Sequence, residues 1–309
     1  MLTGNSFAFN WEVSLIEWLQ SHLGSGTISV LSFLSAFGEE LVLVLILGFI
    51  FWGYDKKLGK AIGLNVLMGL VWNPMLKNVA VRRRPYFDHE GIKILRLVDK
   101  SADAYDISAQ GFSFPSGHST NAVTLYGSLA AKKKSKALLG AAVALPLLVG
   151  FSRVVVGAHY PTDVLAGWAL GLLSMAVVAL LRRFIKNDYA FYGVLILTAL
   201  PGLFYCKSAD YFTALGLLLG FIAGSVLEEK KVRFENTGSI VRCILRALGG
   251  AALFFGLNTL LKLPFSKEFL DNGSLAALLV RGARYGVIAF IEFGVYPILF
   301  RYTGRLGKK

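Results

Sequence analysis

A chain of 309 residues that is 55% hydrophobic and only 17% charged is not a soluble domain, where about a quarter of the residues are charged. Repeated apolar stretches, near or above the length that crosses about 30 Å of hydrocarbon, make it an all-α, polytopic membrane helical bundle. The net charge of +13 is dispersed over short loops, so it excludes a nucleic-acid surface and reads as a topology signal with some attraction to anionic lipid headgroups.

In chain order, residues 11–24 place Val13, Leu15, Ile16, Trp18, Leu19 and Leu23 at a spacing that suits an amphipathic helix lying at the membrane interface. No basic n-region precedes them, so no cleavable signal peptide is expected. A weakly apolar stretch ends at Gly38-Glu39-Glu40. About nine spans follow, near 40–54, 59–80, 117–131, 137–156, 162–181, 189–206, 211–227, 240–261 and 277–300.

The loop charges give this reading a direction. Lys56, Lys57 and Lys60 form a first cluster, Lys132, Lys133, Lys134 and Lys136 a second, and Arg182, Arg183 and Lys186 a third. Lys230, Lys231 and Arg233 form a fourth, and Arg301, Arg305, Lys308 and Lys309 close the chain. All fall on one side of a nine-span arrangement. By the positive-inside rule that side is cytoplasmic, with the N-terminus outside and the C-terminus inside. The connection from Arg82 to Phe114 is polar and carries Asp88, Asp99, Asp103 and Asp106. It is too long for a hairpin and suits a cover over a site or a headgroup selector.

Three short segments at span ends on the outer face carry the chemistry. Lys77 is followed by Arg84-Pro85, then come Pro115-Ser116-Gly117-His118 and Ser152-Arg153 with His159 and Asp163. Two of only four histidines thus lie among three fixed cations, which suits phosphoryl transfer: cations for the non-bridging oxygens, a nucleophile, and an acid for the leaving oxygen. Ser116 and the backbone N–H groups at the start of the third span suit an anion, and Gly117 permits close approach. Pro161 suits the first position of the fifth span, and Asp163 in its first turn can reach back to His159. A carboxylate on one ring nitrogen raises the nucleophilicity of the other, so His159 is read as nucleophile and His118 as general acid. His-x3-Asp with a further histidine has some metal-ligand character, but three cations beside it would repel a metal ion; no metal and no cofactor are expected. Singly the pieces are bland: Arg-Pro is usually a helix exit, and Lys77 alone is a snorkelling lysine.

Together, Lys77-x6-Arg84-Pro85, Pro115-Ser116-Gly117-His118 and Ser152-Arg153-x5-His159-x3-Asp163 resemble the three-part signature of the type 2 phosphatidic acid phosphatase (PAP2) superfamily. The resemblance implies a helical catalytic bundle and a metal-independent lipid phosphatase with a phosphohistidine intermediate. His159 would attack with support from Asp163, and His118 would protonate the leaving group. Lys77, Arg84, Ser116, Gly117, Ser152 and Arg153 would hold the phosphate. The same signature occurs in soluble acid phosphatases and vanadate-dependent haloperoxidases, and the hydrophobicity here points to the membrane lipid branch.

The expected organisation is an interfacial segment over 1–36, a PAP2-like catalytic core over 37–186 and a four-span region over 187–309 without signature residues. In that last region Gly216, Gly220 and Gly224 form a small-xxx-small face, read as packing within the chain. Arg281, Arg284 and Glu292 are expected to pair or to face the protein interior. His22 and His89 are read as surface residues. Cys206 and Cys243 are read as small packing residues, with no disulfide.

The expected activity is hydrolysis of a lipid phosphate or diphosphate at the extracytoplasmic face of the cell membrane. Phosphatidate-type lipids and, in a bacterium, undecaprenyl diphosphate are candidate substrates. The rival readings are a phosphotransferase that passes the group to an alcohol and a non-enzymatic lipid transporter or scaffold.

Overall fold

The structure is a computed structural model that describes residues 4–99 and 102–300, apart from the Glu40 side chain. The terminal basic cluster of Arg301, Arg305, Lys308 and Lys309 lies outside the described residues. Among the described residues the chain is helical, and its extended pairing is a single isolated bridge between Asn5 and Arg82.

Among the described residues, four helices are long and apolar enough to cross a membrane: Lys136–Val155, Pro161–Phe184, Ala209–Val232 and Ile240–Leu260. They fall within a few residues of the spans expected from hydropathy. A fifth crossing exists if Ser25–Gly38 and Leu41–Tyr54, bent by 49° at their junction, form one span. The expectation of about nine is not confirmed beyond these, and the remaining segments differ from them in identifiable ways. The Lys56–Ala80 helix has 25 residues but carries Lys56, Lys57, Lys60 and Lys77. The segment after Gly117 is divided by a wide π-helical turn over Val123–Gly127. Asp188–Ala199 and Leu275–Phe290 have only 12 and 16 α-helical residues.

The chain forms two compact units. The first comprises Met1–Val42 and Trp72–Val177, the second Leu43–Val71 and Val178–Lys309.

In the first unit, the Asn10–His22 helix buries Ile16 and Leu19 in a core with Val154, Val155, Tyr160 and Val164. Trp11, Leu15 and Trp18 stay exposed, so the helix presents one apolar face to the protein and a second, Trp-rich one outward, as suits an interfacial position. The Lys136–Val155 helix leaves Leu139, Val143, Leu147 and Phe151 exposed at four-residue spacing, a stripe that hydrocarbon would cover. The next turn reverses the chain through Gly157 at φ +73°, where an added Cβ would also collide with the carbonyl oxygen of Lys93. A side chain there would be strained on both counts.

In the second unit, the expected small-residue face finds its partner inside the chain. A Cβ at Gly216 or Gly220 would collide with the carbonyl oxygens of Gly282 and Gly286 on the Leu275–Phe290 helix. Two backbones thus approach along matched glycine rows. Arg281 donates through Nε to Thr213 Oγ1 at 2.7 Å, and Arg284 through Nη2 to Asn258 Oδ1 at 2.8 Å. Glu292 is buried, and its Oε1 has no hydrogen-bond partner among the described residues. Cys206 and Cys243 are buried and not disulfide-bonded.

Candidate active site

All of the signature residues lie in the first unit, each at or beside a helix end. Lys77 is in the last turn of Lys56–Ala80. One turn earlier, Asn73 donates through Nδ2 to the Pro115 carbonyl at 3.2 Å and to Thr120 Oγ1 at 3.1 Å. That bridge ties the lysine-bearing helix to the Pro-Ser-Gly-His segment.

Ser116 caps the Gly117–Ala122 helix. Its hydroxyl accepts from the Ser119 N–H at 3.4 Å and the Ser119 hydroxyl at 3.0 Å, and its own N–H donates to the Asp163 carbonyl at 2.9 Å. The Ser152 hydroxyl donates to the Val149 carbonyl at 2.7 Å. Both serine side chains therefore hold helix structure here. Gly117 has open space around it: an added Cβ would meet only Asn73 Oδ1, at 3.6 Å.

Arg84 is buried and aimed by main-chain acceptors. Its Nε donates to the carbonyls of Gln110 and Gly111 at 2.9 and 3.1 Å, and its Nη1 to that of Ala158 at 2.9 Å. The same Nη1 stands 3.5 Å from His159 Nε2. Two of those acceptors belong to the long Arg82–Phe114 connection, which is internally bonded: Gln110 accepts from the N–H groups of Val98 and Asp99 at 3.0 and 3.2 Å.

Arg153 is 2% exposed, and its Nε has no hydrogen-bond partner among the described residues. His159 is equally buried. Its Nδ1 faces Asp163 Oδ2 at 3.6 Å, an ion-pair distance that is too long for a hydrogen bond, and has no hydrogen-bond partner among the described residues. Burial first, then the charges of Arg84, Arg153, Lys77 and His118, hold the His159 imidazole well below its ordinary pKa. It is therefore neutral at physiological pH, with a lone pair available on one ring nitrogen.

The expected reach of Asp163 toward His159 is seen, together with partners that the sequence does not reveal. Asp163 Oδ2 accepts from the Tyr160 N–H at 2.8 Å, and Oδ1 from Arg82 Nη1 at 2.8 Å. Arg82 also donates through Nη2 to Glu12 Oε2 at 2.7 Å and through Nη1 to Thr162 Oγ1 at 2.7 Å. Its guanidinium carbon lies 3.9 Å from the centre of the Tyr160 ring. Burial alone would raise the Glu12 pKa, but hydrogen bonds from the Thr162 hydroxyl and N–H, from the Phe9 N–H and from Arg82 bring it below the ordinary value. Glu12, Arg82 and Asp163 thus form a buried chain of alternating charge behind His159.

His118 is 24% exposed on its side chain, and the charges of Arg153, Glu39 and Arg84 act on it. His89, read from the sequence as a surface residue, is half-buried, with its ring edge-on to Tyr160 at 6.2 Å. His22 is exposed, as expected. Among the described residues, no group of three or more His, Cys, Asp or Glu gathers as a set of metal donors.

A neutral buried imidazole flanked by Lys77, Arg84 and Arg153, in a helical chain with membrane-crossing helices, defines the class: a membrane protein that handles phosphate. Comparison with known proteins makes that specific. The PAP2 superfamily profile matches residues 58–187, and that of the PAP2 superfamily phosphatase transmembrane extension matches residues 212–308. The undecaprenyl-diphosphatase BcrC of Bacillus subtilis is 29% identical over 193 residues, covering 60% of this chain and 93% of that protein. The undecaprenyl-diphosphatase of Sulfolobus acidocaldarius is 30% identical over 175 residues, covering 55% and 78%. Phosphatidylglycerophosphatase B of Bacillus subtilis is 41% identical over 81 residues, covering 23% and 40%. No solved structure matches. The chain belongs to the PAP2 superfamily, and it is an integral membrane lipid phosphatase.

Proposed function

We propose that the protein removes the terminal phosphate of a lipid diphosphate at the extracytoplasmic face through a phosphohistidine on His159. The observation that carries this reading is the state of His159: buried, neutral, with Asp163 on Nδ1 and Arg84 beside Nε2. Undecaprenyl diphosphate is preferred over phosphatidate-type lipids because two undecaprenyl-diphosphatases align over more than half of this chain. The outward site is supported by the basic clusters at the opposite ends of its helices. Lys136 starts the helix that ends beside His159, and Arg182 and Arg183 end the helix that begins at Pro161. The catalytic core is assigned to residues 37–186, with 187–309 as an accessory transmembrane region.

In the first step His159 Nε2 attacks phosphorus, the P–O bond to the lipid breaks, and His118 gives a proton to the leaving oxygen. In the second, water attacks phosphorus, His118 takes its proton, and the N–P bond breaks to return neutral His159. Lys77, Arg84 and Arg153 hold the non-bridging oxygens as charge builds on them. The Arg153 Nε, without a hydrogen-bond partner among the described residues, suits that duty, since a buried donor gains most from the ligand it lacks. Gly117 leaves room for the phosphoryl group, and the Ser116 cap and the Ser152 bond to the Val149 carbonyl hold the helix ends that frame it. No metal or cofactor takes part.

The test is phosphate release by purified protein, with chelator present, from undecaprenyl diphosphate, phosphatidate and phosphatidylglycerophosphate. Release from the diphosphate and an acid-labile phosphoenzyme, both absent in His159→Ala, are expected. Release from phosphatidate alone would overturn the substrate, and dependence on an added divalent ion would overturn the mechanism. A single cysteine placed in the 82–114 connection should react with an impermeant maleimide from outside intact cells.

A further inference from the structure

His118 has a neighbour that the three-part signature does not contain. Its Nε2 lies 4.0 Å from Glu39 Oε1. Glu39 precedes the Glu40–Gly48 helix, outside the 58–187 match to the superfamily. The backbone before it is clamped onto the His118 helix at three points. Asn121 donates through Nδ2 to the Gly38 carbonyl at 3.3 Å, and the Tyr126 hydroxyl donates to that of Phe37 at 3.0 Å. At Gly38 itself an added Cβ would stand 2.8 Å from the His118 carbonyl oxygen and 3.0 Å from its Cβ, so only glycine lets the two stretches of chain come this close.

The carboxylate is held from its other side as well. Arg96, on the long connection, pairs through Nη2 with the same Glu39 Oε1 and donates through Nη1 to the Ser32 carbonyl. The order Arg96, Glu39, His118 repeats on the acid side of the site what Arg82, Asp163 and His159 form on the nucleophile side. In both, an arginine fixes a carboxylate and the carboxylate faces one nitrogen of a histidine.

We infer that Glu39 is a positioning residue for leaving-group protonation, holding His118 through Nε2 so that Nδ1 faces the departing oxygen. The inference rests on the assignment of His118 as the acid. With Nε2–H kept toward the carboxylate, the proton passed to the leaving oxygen comes from Nδ1. The neutral ring that remains has its lone pair on Nδ1, ready to take a proton from the water that cleaves the phosphohistidine. Arg153 and Arg84 also act on His118, and both disfavour its protonated form. Burial disfavours that form more than either arginine does, and Glu39, the acidic group that acts on the ring, offsets these effects in part.

The test separates protonation from general damage by varying how much protonation the leaving group needs. Two phosphate monoesters with the same alkyl tail are compared, one releasing a phenol and the other a nitrophenol. In full-length Glu39→Gln, kcat should fall about 10- to 100-fold for the phenol ester and less than about 3-fold for the nitrophenol ester, the pattern of a weakened general acid. Glu39→Asp should recover part of the loss. In a His118→Ala background Glu39→Gln should cost nothing further, because the two act as one unit. An equal fall for both esters in Glu39→Gln, or no fall for either, would overturn the inference. An equal fall for both in His118→Ala would overturn the acid assignment itself, so the two failures are told apart.

Discussion

Both units bury charge among apolar side chains, yet they use it differently. In the second unit Arg246 donates through Nη1 to the carbonyls of Trp52 and Glu235 and lies over Phe300, and Lys56 pairs with Glu228 at 2.7 Å. These charges are absorbed locally, one by one, by backbone, ring or counter-ion. In the first unit Lys77, Arg84 and Arg153 all act on one imidazole, and Arg153 Nε has no hydrogen-bond partner among the described residues. Burial of an ionisable group is therefore not in itself the mark of a site, since Glu292 Oε1 and Arg284 Nε also have no hydrogen-bond partner among the described residues. Convergence on a nucleophile is.

That contrast is broken most directly at its two extremes. His159→Ala should lower phosphate release by about 10⁴-fold or more, because no other group replaces the attacking nitrogen. Glu292→Gln in the second unit should change release by less than about 3-fold while raising the thermal midpoint, since it removes an ionisable buried group whose Oε1 has no hydrogen-bond partner among the described residues. Comparable losses from the two would erase the distinction. Arg153→Gln comes next, with an expected fall in kcat/KM of about 10² to 10³-fold. Its thermal midpoint should hold or rise, because an incompletely satisfied buried guanidinium costs the fold stability. A fall in both together would make Arg153 a structural residue.

Glu12→Gln sharpens the comparison within the first unit. It keeps an acceptor for Thr162 but removes the charge that balances Arg82, so Asp163 is left to neutralise Arg82 alone. A loss of about 10- to 100-fold in kcat, with KM little changed, is expected for a group that orients a catalytic side chain from behind. A rise in KM with unchanged kcat would assign Glu12 to substrate binding instead.

How much of this is legible in the sequence follows from what sequence separation hides. Pro85, Pro115 and Pro161 mark helix starts, so the order of residues alone places the signature at helix ends, and the observed helices begin there. The glycine row 216, 220 and 224 is readable by its spacing, but its complement at Gly282 and Gly286 does not stand out, because neither row identifies its partner. Arg82 is masked by its neighbours in Arg82-Arg83-Arg84. What distinguishes it is contact with Glu12 and Asp163, 70 and 81 residues away. Glu12 does carry a signal: a carboxylate among Trp11, Val13 and Ile16 on an amphipathic helix is out of place unless paired. The count of about nine spans is left unconfirmed for another reason. Hydropathy averages over a window, whereas a helix is broken or polarised by single features, such as the π-helical turn at Val123–Gly127 or Pro74 inside Lys56–Ala80.

A packing change tests the second unit on its own terms. Gly220→Leu would drive a side chain into the Gly286 carbonyl oxygen and should destabilise the protein by about 1–3 kcal/mol. Activity per folded molecule should persist, since no signature residue lies in that unit. A catalytic defect at full stability would give the accessory region a part in the reaction.

The smallest expected effect is a pH term, and its sign separates two buried acid–base groups of the first unit, His159 and Glu12. His159 is held neutral when folded, chiefly by burial, while the unfolded chain takes up a proton below about pH 6.5. Its contribution is full above that pH and is lost as pH falls, by at most about 1.4 kcal/mol per pH unit. Glu12, lowered in the fold by the Thr162, Phe9 and Arg82 hydrogen bonds that outweigh its burial, contributes above its unfolded value of about 4.5 and loses that contribution only below it. Thermal midpoints measured from pH 7 to pH 4 should therefore fall more steeply for wild type than for His159→Asn between about 6.5 and 4.5. Over the same window Glu12→Gln should run parallel to wild type, converging on it only at lower pH. Parallel curves for wild type and His159→Asn would mean that His159 already carries a proton in the resting site, and a protonated imidazole has no lone pair with which to attack phosphorus.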